Sequence, residues 1–118
     1  MHRAFTAFLI ILALAGPVFA ESFQRVEDKD RFLQLVNEGD LTRFAIRVKV
    51  TPAGDIVGRA FGQKVSGEWA WQDGYFCRSL FWGSKEIGDN CQTVEVSGRT
   101  LRFTSDRGKG QFADLSLD

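Results

Sequence analysis

From Leu41 onward the chain takes a period of two, alternating between apolar and polar positions. Ile46, Val48 and Val50 point one way, and Arg47 and Lys49 the other. A period of two marks a half-buried strand, because successive side chains of a pleated strand leave opposite faces. The alternation recurs where Val65, Trp69 and Trp71 oppose Ser66, Glu68 and Ala70, and where Val94 and Val96 oppose Thr93 and Glu95. It returns at Leu101 and Phe103. Pro52-Ala53-Gly54-Asp55 reads as a turn, and Ile56 to Phe61 as the return strand, thin at Gly58 and Ala60. Asp73-Gly74 is the strongest hairpin signal and leads into YFCRSLFW. GSKEIGDN and DRGKG read as loops, Ser97-Gly98 as a turn, and QFADLSL as a last strand with no clean face.

Ahead of these strands the period is different. In DKDRFLQLVNEG, Phe32, Leu33, Leu35 and Val36 recur at helical spacing. Asp28 suits the N-cap, Asp30 the first turn and Gly39 the end, which predicts a helix over 29–38. Ser22 to Val26 reads as extended. About seven short strands at roughly ten-residue spacing after one helix predict a mainly β fold. The expected architecture is a small antiparallel meander that closes into a barrel or curls into a curved sheet, with the helix over one open end or face.

The first 20 of the 118 residues have another pattern. Positive MHR precedes an apolar run from Ala4 to Gly16, broken only by Thr6, and Val18-Phe19-Ala20 fits a small-residue cleavage site. This predicts a secretory signal peptide over 1–20, with Glu21 as the mature N-terminus and 21–118 as a single disulfide-bonded domain. The run is shorter than the roughly 20 residues a spanning helix needs, so no membrane span is expected after cleavage. The expected location is the periplasm or the cell exterior.

Charge removes several functions. Lys and Arg total 15, Asp and Glu total 15, and the signs are interspersed. With no basic block, neither nucleic acid nor an anionic membrane surface is an expected partner. The single histidine, His2, falls in the leader. A Ser-His-Asp or Cys-His arrangement is thereby excluded from the mature chain, as are His-ligated metals, and no metal or cofactor is expected. Calcium at Asp55, Asp89 or Asp106 lacks EF-hand spacing. Asp106 to Gly110 has the Gly and Asp content of a hairpin loop, with an anion-binding nest as the sharper alternative.

Cys77 and Cys91 are the only cysteines. An even count in an exported chain predicts a disulfide, and closing a loop of about 15 residues contributes about 3 kcal/mol. Both lie in WAWQDGYFCRSLFWGSKEIGDNC, residues 69–91, with three Trp, two Phe and one Tyr. Trp69 and Trp71 share the inward face with Val65. The next strand is apolar on both faces, with Phe76, Leu80 and Trp82 on one parity and Tyr75, Cys77 and Phe81 on the other.

Two registers compete for this strand. A hairpin symmetric about Glu86 places Phe81 near Cys91. The other places Cys77 beside Cys91 and makes 78–90 an excursion clamped at its base, which the disulfide limit of about 7 Å between Cα atoms favours. Two uses of that segment compete as well. Phe81 and Trp82, with Arg78, Tyr75 and Lys85 nearby, form a surface that grips a protein, a glycan or a small apolar ligand. In the other use, Phe81 and Trp82 fold back to cap the barrel. Asp73, Glu86 and Asp89 keep a carboxylate-dependent hydrolase as an alternative, although no spacing among them supports the required pair.

GEWAWQDGYFCR, GDNCQTVEVSG and LRFTSDRGKG together resemble a group of short exported bacterial proteins of undetermined role. The most specific part is Trp69, Trp71, Asp73, Gly74, Phe76, Cys77 and Arg78, followed by Cys91, Val94 and Val96. Proteins of this group sometimes carry the label dihydrodipicolinate reductase. The label conflicts with this chain, which has no dinucleotide-binding Gly-rich turn, no mature histidine and too short a length for a two-domain enzyme. The resemblance implies no functional residue. The expected function is non-enzymatic: a secreted or periplasmic binding or accessory protein.

Overall fold

A computed structural model describes residues 22–118; the signal-peptide expectation over 1–20 lies outside the described residues. The chain is built as β1 (Gln24–Val26), α1 (Lys29–Val36), β2 (Leu41–Arg43), β3 (Ile46–Val50), β4 (Asp55–Ala60), β5 (Gln63–Gln72), β6 (Tyr75–Trp82), β7 (Lys85–Ser97), β8 (Thr100–Thr104) and β9 (Phe112–Leu117). Spatial order follows β7-β6-β5-β4-β3-β2-β9-β8, and β8 returns to β7. The result is a closed, eight-stranded antiparallel barrel. β1 lies outside this ring and pairs with the far half of β7, Val26 opposite Val94.

Sequence periodicity found most of these strands but not all. The period of two from Leu41 does not mark β2 as a strand separate from β3. The three residues of β2 have no alternation long enough to recognise, yet they bridge β3 and β9 and so close the barrel. GSKEIGDN is not a loop beyond its first residues. Lys85 to Asn90 is the leading half of β7, paired with Trp82 back to Arg78. Gly88, Asp89 and Asn90 are turn-forming residues, but cross-strand hydrogen bonding overrides that preference, and one bulge between Leu80 and Phe81 absorbs the odd residue. The polar connection after β8 contains a single helical turn, Ser105–Gly108, in which Asp106 and Arg107 are both left-handed at φ 55°.

The Asp73-Gly74 hairpin forms as its sequence predicts, with φ 53° and 84°, the mirror-image turn that matches strand twist. Helix α1 ends at Val36, two residues short of the expected limit, with Asn37 as its C-cap. Asp28 occupies the N-cap position, but its side chain makes no capping hydrogen bond.

The helix buries Phe32, Leu35 and Val36 in one end of the barrel. Phe32 is fully buried, and its ring centroid lies 5.3 Å from Trp69, 5.0 Å from Trp71, 5.1 Å from Phe76 and 6.4 Å from Phe103. The expectation that Trp69 and Trp71 face inward therefore holds. Trp69 is buried and Trp71 packs half-buried against the core. Their indole N–H groups donate to the Thr51 and Glu27 carbonyls, so neither loses a hydrogen bond on burial.

Gly58 lets β3 and β4 approach closely. A Cβ there would overlap the Arg47 carbonyl and lie 2.7 Å from the Val48 Cα. Both are backbone atoms that cannot rotate away. Gly58→Ala is expected to cost about 1–3 kcal/mol by overpacking, read as a lowered urea midpoint with an unchanged slope.

On the outer surface, Asp40 accepts from Arg47 at 3.0 Å and pairs with Lys49 at 3.3 Å. The Arg47 hydrogen bond, with help from Lys49, holds its carboxyl below the usual carboxylate pKa against a smaller effect of burial. A depressed folded-state pKa gives stability that is complete above the unfolded value and is lost as pH falls through the folded one. Asp40→Asn should therefore flatten the stability loss below about pH 4 and leave the alkaline side unchanged, as checked by urea midpoints across pH.

Candidate functional site

Inward-facing residues of the barrel do not all meet. Toward the end opposite α1 they line an open cavity of about 450 Å³. Val48, Leu80, Leu115 and Ala113 form part of its wall, over a floor that includes Phe76 and Phe103. The space reaches the surface where Phe61, Phe81 and Ile87 line it, all three of which are exposed. Phe61 sits in the β4–β5 turn, and its ring lies 6.4 Å from that of Phe44, in the β2–β3 turn. Phe44 is 86% exposed and Phe61 61%, so the mouth carries an aromatic rim that meets water.

The sequence-predicted site residues are distributed unevenly around this cavity. Arg78, Phe81 and Trp82 line it. Trp82 is half-buried and donates its indole N–H to the Ala60 carbonyl at 2.8 Å, while Phe81 is 41% exposed. The pair therefore splits: one ring packs into the barrel and the other remains at the mouth. Lys85 is exposed at the β6–β7 tip, opposite Trp82. Tyr75 has the outward parity of Cys77, where the guanidinium carbons of Arg25 and Arg107 lie 5.2 Å and 5.5 Å from its ring centroid. It belongs to the outer wall and not to the cavity.

Cys77 and Cys91 are disulfide-bonded and directly opposed in register, with Cα atoms 3.9 Å apart. The register that sets them side by side is the one formed. The segment between them is a continuous ribbon and not an irregular excursion. Outside the disulfide lies a shallow groove bordered by Glu68, Gln72, Ser79, Asp89, Arg107 and Lys109, of mixed charge.

Apart from the Trp82 indole, Arg78 and Gln92 carry the only polar side chains among the described residues that line the cavity. Arg78 lies between Phe76 and Leu80 on the inward face of β6 and donates from Nη1 to the Gly88 carbonyl at 3.0 Å. Burial lowers its pKa from the ordinary guanidinium value, with the charge of Asp89 acting the other way. Gln92 is buried and donates from Nε2 to the Ser105 hydroxyl oxygen at 3.3 Å. Since Phe76 pairs with Gln92 and Arg78 with Asn90, Arg78 and Gln92 are diagonal neighbours across β6 and β7.

Of the carboxylates considered for hydrolysis, Asp73 and Glu86 are not gathered. Asp73 sits in the β5–β6 turn, whereas Glu86 follows the β6–β7 tip. The eight residues of β6 separate them, roughly 25 Å at strand rise. Paired glycosidase carboxylates lie roughly 5–10 Å apart. Among the described residues, no group of three or more His, Cys, Asp or Glu side chains is placed to hold a metal ion, and no helix is long and apolar enough to cross a membrane.

Comparison with protein-family models, with curated proteins and with solved structures finds no match to this chain. Only the geometry of the barrel bears on function.

The sequence located the aromatic lining but not the cavity. Ile46, Val48, Leu80 and Leu115 read as core positions because alternation reports a face. It does not report whether opposite faces meet.

Proposed function

We propose that this protein is a non-enzymatic binding protein that holds a small apolar ligand inside its barrel. One observation carries this reading: an apolar cavity of about 450 Å³ that opens between exposed aromatic residues. Its volume falls within the roughly 300–1,000 Å³ of typical small-molecule sites, and its lining has the usual composition of apolar walls with few polar groups. Closed eight-stranded barrels of this size are wide enough to hold one small ligand. The Cys77–Cys91 bond supports an oxidising location, in the periplasm or outside the cell.

The test is titration with an uncharged naphthylamine dye, read by dye fluorescence and by quenching of the protein's tryptophan emission. Saturable one-site binding is expected. Ala113→Phe and Leu80→Trp, which fill the space, are each expected to weaken it about tenfold while preserving the folded circular dichroism spectrum. Binding that never saturates, or that both filled variants retain in full, overturns the proposal.

A further inference from the structure

We infer that the cavity ligand is an amphiphile with a single anionic head, a long-chain carboxylate, whose head is held by Arg78 and whose tail lies along the apolar wall. This rests on the cavity-binding reading above and adds the chemistry of the ligand. The cavity wall is apolar at Val48, Leu80, Leu115 and Phe103, which suits a hydrocarbon chain. Into that wall β6 sets one guanidinium, at a position where alternation would equally have accommodated an apolar residue like its neighbours Phe76 and Leu80.

Arg78 is half-buried, and removing part of a guanidinium from water favours an anionic partner that supplies hydrogen bonds in place of the lost hydration. The hydrogen bond to the Gly88 carbonyl uses one of five guanidinium donors. Asp89 acts on Arg78 through its charge but stands on the opposite parity of β7, opposite Ser79, and is itself exposed. The remaining donors form a planar fork that matches a carboxylate with two parallel hydrogen bonds. Gln92, the diagonal neighbour, adds an amide that donates one N–H to Ser105 and has a second N–H available to a head group.

The charge count selects the head. Arg78 is the one cation among the described residues that line the cavity. A single positive charge balances a monoanion and leaves a dianionic phosphate half unpaired. The carboxylate is therefore favoured over an alkyl phosphate.

Displacement of the naphthylamine dye by dodecanoate, dodecanol and dodecyl phosphate tests this on the intact, disulfide-bonded protein. Dodecanoate should displace the dye about tenfold more effectively than dodecanol, since hydrogen bonds to a charged group are the stronger ones. Arg78→Leu and Arg78→Gln should each remove that preference, so that dodecanoate and dodecanol displace the dye about equally. Gln92→Leu should reduce the preference without abolishing it. Equal displacement by acid and alcohol, or a preference that survives in both Arg78 variants, overturns the inference while the cavity reading stands. Tighter binding of dodecyl phosphate than dodecanoate overturns the choice of a monoanion. If neither the dye nor dodecanol binds, the cavity reading fails and the inference falls with it.

Discussion

Phe32→Ala is expected to lower the stability of the barrel by about 3–5 kcal/mol, the largest effect of any single substitution proposed for this chain. Phe32 is the centre of the plugged end. It is fully buried and meets four aromatic rings from β5, β6 and β8. Removing its ring loses the transfer free energy of the side chain and also leaves a void. The surrounding rings are fixed: the Trp69 and Trp71 indoles are tied to backbone carbonyls, so they cannot collapse freely to fill it. The native helix would lose its main anchor, because Leu35 and Val36 are its only other buried residues. The measurement is urea unfolding followed by tryptophan fluorescence. A loss below about 1 kcal/mol would show that the helix lies on the barrel without plugging it.

Loss of the Cys77–Cys91 bond is the second large effect. Reduction, or the paired Cys77→Ala and Cys91→Ala substitutions, is expected to cost about 2–5 kcal/mol. The two residues are already opposed in the β6–β7 ladder, so the bond requires no rearrangement of the folded backbone. Its effect falls on the unfolded chain, in which it keeps the two strands of this ribbon together. β7 matters more than its neighbours: it pairs with β6 along its first half and with β8 and β1 along its second, so it closes the ring. A reduced protein that unfolds at the same urea concentration as the oxidised one would remove the disulfide from any role in stability. Cavity binding measured on the reduced, still folded fraction should persist, because both cysteines have the outward parity of Tyr75 and lie off the lining.

Strand alternation was legible wherever one face meets water for five or more residues. β3 and β5 show it directly, since Arg47, Lys49, Ser66 and Glu68 must stay solvated while Val48, Val50, Val65 and Trp69 leave water. β6 was harder. Both of its faces are apolar because one lines the barrel and the other carries the disulfide and Tyr75. β9 was unreadable for a related reason. Its outward Phe112 and Asp114 both serve Arg102, whose guanidinium lies 4.1 Å from the Phe112 ring centroid and forms two hydrogen bonds to the Asp114 carboxylate. An apolar residue outside broke the binary pattern there. β2 and the start of β7 failed for lack of local signal, because their conformation is set by strands distant in sequence.

The candidate site followed the same division. Phe81, Trp82 and Arg78 stood out as residue types that bind, and all three line the cavity. Tyr75 and Lys85 stood out for the same reason and do not, because a residue type does not specify the side of a wall or the distance beyond a strand tip.

By itself, then, the sequence determined the strand and helix periods, the side each alternating residue takes, the Asp73-Gly74 hairpin with its mirror-image turn chemistry and the pairing of the two cysteines. Each follows from interactions within a few residues or from a count of two. Only the tertiary structure decided that the strands close, that β2 and β7 are the closing members, and that the inward faces part to leave a space beside Arg78. Closure joins β8 to β7 and β2 to β9, and the interior width then depends on the number and tilt of all eight strands together. No local pattern encodes that sum.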